Sequence, residues 1–354
     1  MITYRLATEK DYKNINDFHN RIYKSDRTIE QFCWEFHDAP AGHSIYIIAE
    51  DGDKVIGTQC AIPIYLITSG GEKIYSGKSE DTLVDPDYRG QNIFNKLYEI
   101  LFRECSAKGI KVIWGFTSAI KPFIKMGFET PFEHKQVLAV NKIHRSYKHL
   151  SSLNKKNKLI DKLKIFVLCC LSKTRYILKP KKTKTGAYTV STINVLNVEE
   201  LLLSNLRGYQ NSFAIEQSKE YQKWRIYDNP NYYKPYTFSY RNADNKLMGV
   251  ITVNIQKDGV SFIIQSLFHY DMDSKIKSKF IRHVTSSLFS EGVSIIRNWV
   301  FDHNLFNKNE IEYYLQAKYF KVDNGVSLVW KKLDDFNLSA DGFFLSRIAT
   351  QGVI

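Results

Sequence analysis

Between Thr82 and Phe94 the chain reads Thr-Leu-Val-Asp-Pro-Asp-Tyr-Arg-Gly-Gln-Asn-Ile-Phe, a stretch with the composition of a phosphate anchor. A β-type run ends at Pro86, Tyr88-Arg89-Gly90 has the residues of a tight turn, and a helical apolar period (Ile93, Leu97, Ile100, Leu101) opens near Gln91. A strand that turns directly into a helix gathers unpaired amide N–H groups and the positive end of a helix dipole at one point, and a pyrophosphate fits there. Just upstream, Glu80 and Asp81 are neighbours on the strand. Their carboxylates therefore alternate across it, and one of them faces each side.

The elements that must position these groups follow from hydrophobic period. Alternating stretches rich in Ile, Val and Tyr predict strands over 2–7, 44–49, 54–68, 73–84 and 111–116. Stretches of period 3.6 predict helices over 9–23, 28–37, 91–108 and 119–126. The pattern then recurs. Trp34 is followed by Asp38, Pro40, a strand, a polar turn and a strand opening at Gly57; Trp224 is followed by Asp228, Pro230, a strand, a polar turn and a strand opening at Gly249. An ordered series of this kind marks an internal repeat. The expected fold class is α/β (α+β), with two tandem domains that each hold a mixed, mostly antiparallel sheet flanked by helices. The expected boundaries are 1–141, a basic helical insert over 142–184, 185–336 and a tail over 337–354. Within the insert an amphipathic helix is expected over 159–178, punctuated by Pro180.

The segment Val84-x-Pro86-x-Tyr88-Arg89-Gly90-x-x-Ile93 resembles the central motif of the GNAT acyltransferase superfamily. Asp51-Gly52-Asp53-Lys54-Val55-Ile56-Gly57 is similar to that family's second hairpin, and Phe123 to Glu129 to its closing helix and final strand. The resemblance covers residues 1–140 by motif and 185–334 by architecture and repeat. It implies that Arg89, Gly90, Gln91 and Asn92, with Phe94 and the backbone of Leu83 and Val84, bind acyl-coenzyme A as co-substrate. The family's glycines fall on Asn92 and Phe94, and Phe94 is expected to narrow the cleft. Where many relatives carry a tyrosine that protonates the departing thiolate, this chain has Ile124. The chemistry implied is attack of a neutral amine on a thioester, which needs carbonyl polarisation and a proton acceptor. Glu80 stands where relatives keep an acid, so it is the first candidate for base or water relay, with Asp81 beside it. His134 is a second candidate base, although a lone histidine is more often structural. Ser118, at the end of the fifth strand, is a candidate for ordering the thiol or a sugar. Trp114 and Phe116 on that strand read better as core than as stacking platforms. The second copy has no Arg-Gly pair between Gln265 and Asp273, and so reads as a copy without its coenzyme loop.

Composition bounds the remainder. Hydrophobic residues at 44% and aromatics at 14% supply two cores and exclude disordered and fibrous classes. Five cysteines, odd in number and without metal-ligand spacing, imply a reduced compartment and no metal. The start of the sequence has no secretory pattern, and the longest apolar run, Ile165 to Leu171, is far short of the ~20 residues that span a bilayer. A cytoplasmic protein with no integral membrane span is expected. The formal charge of +13 is local, because residues 142–184 hold fourteen Lys or Arg against the single acid Asp161 and the rest of the chain is neutral. Few aromatics interleave with these basic residues, which argues against nucleic acid as a partner and leaves a peripheral lipid contact open. The expected function is acyl-CoA-dependent N-acylation, with acetyl or a longer group such as 3-hydroxybutyryl, of a nucleotide-linked (dTDP) amino sugar for surface polysaccharide. Alternatives are another small amine or peptide as acceptor, an aminoacyl transferase, or a non-catalytic basic binding protein. A homodimer is compatible with all of them.

Overall fold

The structure is a computed structural model that describes residues 1–153, 158–177, 189–193, 198–301, 303 and 305–350. Lys155, Lys156, Lys179 to Lys182, Lys184, the first residues of the expected second copy (185–188) and the tail beyond Thr350 lie outside the described residues. In chain order the elements of the N-terminal stretch are β1 (Ile2–Leu6), α1 (Tyr12–Tyr23), α2 (Ile29–Phe36), β2 (Ile45–Asp51), β3 (Lys54–Thr68), β4 (Lys73–Val84), α3 (Ile93–Ala107), β5 (Val112–Thr117) and α4 (Ile120–Lys125). Then come β6 (Glu133–Val140), α5 (Ile143–Ser152), α6 (Leu159–Ile177), β7 (Thr189–Ile193), α7 (Glu199–Arg207), β8 (Phe213–Ile215) and α8 (Lys219–Gln222). The remainder is β9 (Lys234–Arg241), β10 (Leu247–Ile255), β11 (Val260–Phe268), α9 (Ser274–Ser290), β12 (Ile295–Val300), α10 (Leu305–Gln316), β13 (Phe320–Lys332) and β14 (Phe343–Phe344).

Two compact units divide the chain. The first gathers Met1–Phe132, Phe213–Asn231 and Val326–Gly342; the second holds Glu133–Ser212, Tyr232–Gly325 and Phe343–Ile354. In the first, β1, β2, β3 and β4 pair antiparallel in order, β5 runs parallel to β4, and Ser327–Lys332 of β13 pairs antiparallel with β5. The amphipathic α3 buries Ile93, Leu97 and Leu101 against Ile47, Ile56 and Ile113 of this sheet. That apolar face, repeating at three and four residues, is what makes 93–107 a helix held on a sheet.

α2 is entered through a capping box in which Thr28 Oγ1 accepts from Gln31 N at 3.1 Å and Gln31 Oε1 accepts from Thr28 N at 2.8 Å. It presents Trp34 to Trp224, which follows α8 and belongs to the same unit. Trp34 Nε1 donates to the Trp224 carbonyl at 2.8 Å and Trp224 Nε1 donates to the Trp34 carbonyl at 2.6 Å, with the rings stacked at 5.6 Å. The repeated tryptophans thus satisfy one another. Arg225 lies over both rings, at 5.5 and 5.7 Å.

In the second unit β6, β12, β11, β10, β9 and β7 are neighbours in that order, antiparallel at the described pairs except for the parallel β11 and β12. Helices α9 and α10 bury Phe280, Val284, Leu288 and Tyr314 on one cluster with Ile251 and Val253. The helices α5 and α6 cover a second cluster of Leu138, Val140, Val260 and Ile295. Each unit is therefore a mixed, mostly antiparallel sheet flanked by helices, as the sequence pattern predicts. The internal repeat extends to detail. Both hairpins, β3–β4 and β10–β11, carry a bulge within four residues of their opening glycine, between Thr58 and Cys60 and between Thr252 and Val253. Both parallel pairs run for three residues, Ser76–Lys78 on Val112–Trp114 and Val260–Phe262 on Ile295–Arg297.

Candidate active site

In the first unit, β4 and β5 part company. Their register ends at Lys78 and Trp114, although β4 continues to Val84 and β5 to Thr117. The last close approach is at Gly115, where a Cβ would fall 2.8 Å from the Ser79 carbonyl oxygen, so only glycine lets the strands touch before they diverge. Beyond that point β4 is bulged. Thr58 pairs with Leu83 and Cys60 with Glu80, leaving Asp81 and Thr82 opposite Gln59 alone, and Asp81 takes the left-handed backbone, φ 51°.

The bulge sorts the strand's side chains. Ser79 and Thr82 turn to α3, where Tyr98 lies with its hydroxyl 2.7 Å from Ser79 Oγ and 3.2 Å from Thr82 Oγ1. Gln59 joins this network through Ser79 at 3.0 Å and through Thr82. Asp81 turns to α1 instead. Its carboxylate accepts from His19 Nδ1 at 2.7 Å, from Arg27 Nη2 at 3.1 Å and from the Tyr46 hydroxyl. Burial would push this acid up, but the His19 hydrogen bond and the Arg27 charge prevail and hold it near 2.

Beside Asp81 lies a second group of charges. Lys78, buried, is ion-paired with the half-buried Glu80. Glu35 of α2 is buried, and its Oε1 has no hydrogen-bond partner. Burial and the nearby Glu80 raise its pKa to about 7, against the lowering influence of Lys78, Arg225 and Arg27. A carboxyl poised near neutrality next to an ion-paired carboxylate has the electrostatics of a proton-transfer site.

After Val84 the chain turns on another buried acid. Asp85 accepts from Asp87 N at 3.2 Å and from Arg21 Nη2 at 3.0 Å and is ion-paired with Lys54 at 3.2 Å, while Tyr88 donates to Asp51 at 3.0 Å. The turn so fixed leaves Arg89, Gly90, Gln91 and Asn92 exposed at the head of the fifteen-residue α3. Gly90 has φ +81° with nothing within 4 Å of a Cβ position, and Asn92 has φ 60°, so the backbone there is shaped by residues that tolerate left-handed angles. Asn92 gives no side-chain cap to the helix; its amide oxygen accepts from the Asn95 side chain instead. The first amides of α3 keep their capacity for an anion, and these residues fit a pyrophosphate.

The expected site residues fall into four places. Glu80, Asp81, Leu83 and Val84 are together on the bulged end of β4, and Arg89 to Asn92 follow within one turn. The ring of Phe94 is held against Tyr98 at 5.0 Å and Phe123 at 5.5 Å, in an aromatic wall of α3 and α4. Ser118 is exposed just past β5. His134 belongs to the second unit, where it is buried and stacked on Trp299 at 3.9 Å. Trp114 is fully buried and donates to Ser76 Oγ at 3.0 Å, a core residue as expected. Ile124 is half exposed. Sequence reasoning overlooked Glu35, Lys78, His19 and Arg27. The available signal was a single acid, Glu35, among Phe32, Trp34 and Phe36.

The matching places in the second unit differ. The N-cap of α9, Asp273, accepts from Lys275 N at 2.8 Å and Ile276 N at 3.3 Å, so a carboxylate already occupies that helix end. A short 3-10 turn, Arg347–Ala349, packs on β11 and β12, with the Arg347 guanidinium 4.1 Å over the ring of Phe262, where their register ends. Among the described residues no group of His, Cys, Asp and Glu could hold a metal ion.

Residues 3–130 match the family described as an acetyltransferase (GNAT) domain. No curated protein sequence matches the chain. Among solved structures, the fold is similar to a probable N-acyltransferase from Enterococcus faecalis, with TM-score 0.63, 10% identity, and 94% of this chain and 73% of that one covered. It is similar to a tandem GNAT protein from the clavulanic acid biosynthesis pathway, with TM-score 0.57, 9% identity, and 95% and 100% covered. It is also similar to Saccharomyces cerevisiae N-myristoyltransferase bound to myristoyl-CoA, with TM-score 0.57, 13% identity, and 93% and 79% covered.

The raised pKa of Glu35 sets a pH dependence. From the ordinary 4.5 up to about 7 the folded chain keeps a proton that the unfolded chain releases, so this group's contribution to stability is lost as pH rises through that window. Glu35→Gln removes the loss. At pH 8 the variant is expected to be more stable than the parent by on the order of 3 kcal/mol, and at pH 4.5 by little. Urea unfolding at both pH values measures this; an equal difference at the two would contradict the assignment.

Proposed function

We propose, from the premise that residues 3–130 form a GNAT acetyltransferase domain, that the protein is an acyl-CoA-dependent N-acyltransferase whose chemistry lies in the first unit. One observation carries this reading: β4 leaves β5 at a left-handed bulge, directly before a helix whose N-terminus has no side-chain cap. Arg89, Gly90, Gln91 and Asn92 hold the coenzyme's pyrophosphate, the backbone of Leu83 and Val84 lines its pantetheine arm, and Phe94 forms part of the wall. The acyl thioester, when bound, supplies the electrophilic carbonyl carbon.

The chain's own residues do the rest. The acceptor nitrogen bonds to that carbon as the carbon–sulfur bond breaks, and the nitrogen's proton passes to Glu80, whose position is set by Lys78. Asp81, spent on three donors, holds the bulge open and takes no proton. Glu35 modulates Glu80 from behind through its own charge. Ser118, exposed past β5, orders the thiol or the acceptor. His134, stacked on Trp299 in the second unit, is left to the core. The second copy is a scaffold without coenzyme, because a phosphate at the head of α9 would meet the Asp273 carboxylate.

The acceptor we assign is a nucleotide-linked amino sugar of the dTDP type, destined for surface polysaccharide. Its support is the tandem architecture, in which a second copy without the coenzyme turn accompanies the first.

Replacing Arg89 by Glu sets a negative charge against pyrophosphate, and coenzyme A is expected to bind at least ~10-fold more weakly, or ~1.4 kcal/mol. Glu80→Gln is expected to lower kcat with coenzyme affinity retained, since a positioned base is worth roughly 10²–10⁴ in rate. Calorimetry and single-turnover kinetics separate the two; unchanged binding in the first or unchanged kcat in the second would contradict the roles given.

For the acceptor, a thiol-release assay compares dTDP-linked amino sugars with free amino sugars, aminoglycosides and peptides, using acetyl-CoA and 3-hydroxybutyryl-CoA. The nucleotide sugars are expected to react fastest. If free amines or peptides match them, the acceptor assignment fails while N-acylation stands.

A further inference from the structure

In the second unit, α6 is apolar on both sides. Its inner side, with Ile165, Leu168, Cys169 and Ser172, packs on the sheet beside Leu138 and Val260, and Ser172 Oγ donates to the Leu138 carbonyl at 3.4 Å. Its outer side carries Leu159, Ile160, Leu163, Phe166, Val167 and Leu171, all exposed, with Leu159 at 83% and Leu163 at 61%. At 100° per residue these six fall on one continuous strip. An amphipathic helix on a sheet normally turns polar residues outward, so a second apolar face asks for a second apolar partner.

Charge says which partner. Lys162 and Lys164 border the strip on opposite edges, Lys158 precedes it, Arg145 and Lys148 are exposed on the adjoining α5, and Lys142 is exposed at its head. The one acid within 142–184 is Asp161. Between α5 and α6 an open groove of about 580 Å³, lined by Ile143, Tyr147, Leu159, Leu163 and Phe166, widens the same apolar face. A second copy docked face to face would bring two strongly cationic segments together, which repel. An anionic lipid surface supplies both what the strip lacks, an apolar layer, and what the lysines lack, counter-charge.

We propose that the packed pair of α5 and α6 is a monotopic membrane anchor. The strip sinks among the acyl chains of an anionic leaflet at the headgroup boundary, while Lys158, Lys162, Lys164 and the α5 basic residues bind lipid phosphates. The helix lies in the plane of the bilayer and does not cross it; no helix among the described residues is long and apolar enough to do so. The inference is independent of which acyl group or acceptor the first unit uses.

The test is sedimentation of the full chain with vesicles of phosphatidylcholine alone and with a third of phosphatidylglycerol, at low and high salt. Binding is expected only with the anionic lipid and is expected to weaken with salt. Leu163→Glu with Phe166→Glu, and separately Lys162→Glu with Lys164→Glu, are each expected to lower partitioning ~10-fold or more. Circular dichroism and thermal melting check that the variants keep the fold, which exposed positions favour. Equal binding to neutral vesicles overturns the proposal, as does an apolar double variant that binds like the parent, since the contact would then be adsorption of a basic surface. Absence of vesicle binding together with a dimer that Leu163→Glu and Phe166→Glu dissolve also overturns it and assigns the strip to self-association.

Discussion

The buried carboxylate of Asp81 holds the first unit in its working shape. An aspartate at φ 51° sits in a backbone region that costs an L-residue roughly 1–2 kcal/mol, and it persists because three donors from three elements converge on it: His19 of α1, Arg27 of the following loop and Tyr46 of β2. This knot ties α1 and β2 to the point where β4 is bulged. The bulge lies just beyond Lys78 and Trp114, where the parallel pairing of β4 with β5 ends. The turn at Asp85 then aims the head of α3 outward, again by seating a buried carboxylate among donors.

The two copies differ by a small change at the helix end that follows the strand pair. Both have the bulged hairpin and the three-residue parallel register. At α3 the N-cap is Asn92 in left-handed backbone, its side chain turned to Asn95. At α9 the N-cap is Asp273, whose carboxylate takes the first free amides. A carboxylate cap satisfies the same donors and the same dipole that a phosphate would, so it stabilises the helix at the expense of the site. In the second unit, moreover, the chain's own Arg347 lies over Phe262 at the end of the strand register. The first copy carries the polar groups of Glu80 and Asp81 there; the second carries packing.

Much of this was legible in the sequence where local rules apply. The strands 54–68 and 73–84 fall where alternation placed them, the helix of the basic insert where its period did, and the Arg89-Gly90 turn where the residue types demanded one. The repeat of Trp34 and Trp224 was also visible, but not that the two indoles bond to each other's carbonyls, since a contact across 190 residues leaves no local trace. Asp81 was read as one of two alternating carboxylates because alternation assumes an unbroken strand; the bulge is set by tertiary donors that the strand itself does not encode. Glu35 escaped notice for a related reason: an acid on a helix is usually solvated, and only the packing around it makes it buried. His134 could be recognised as a histidine on a strand, whereas its seat against Trp299 depends on a residue 165 positions later.

On the proposed function, one of two strand pairs built alike receives acyl-coenzyme A and the other does not. Titration calorimetry of coenzyme A into the full chain tests it most directly. A single site per chain is expected. A stoichiometry of two would contradict it, because the head of α9 would then be receiving phosphate despite the Asp273 carboxylate.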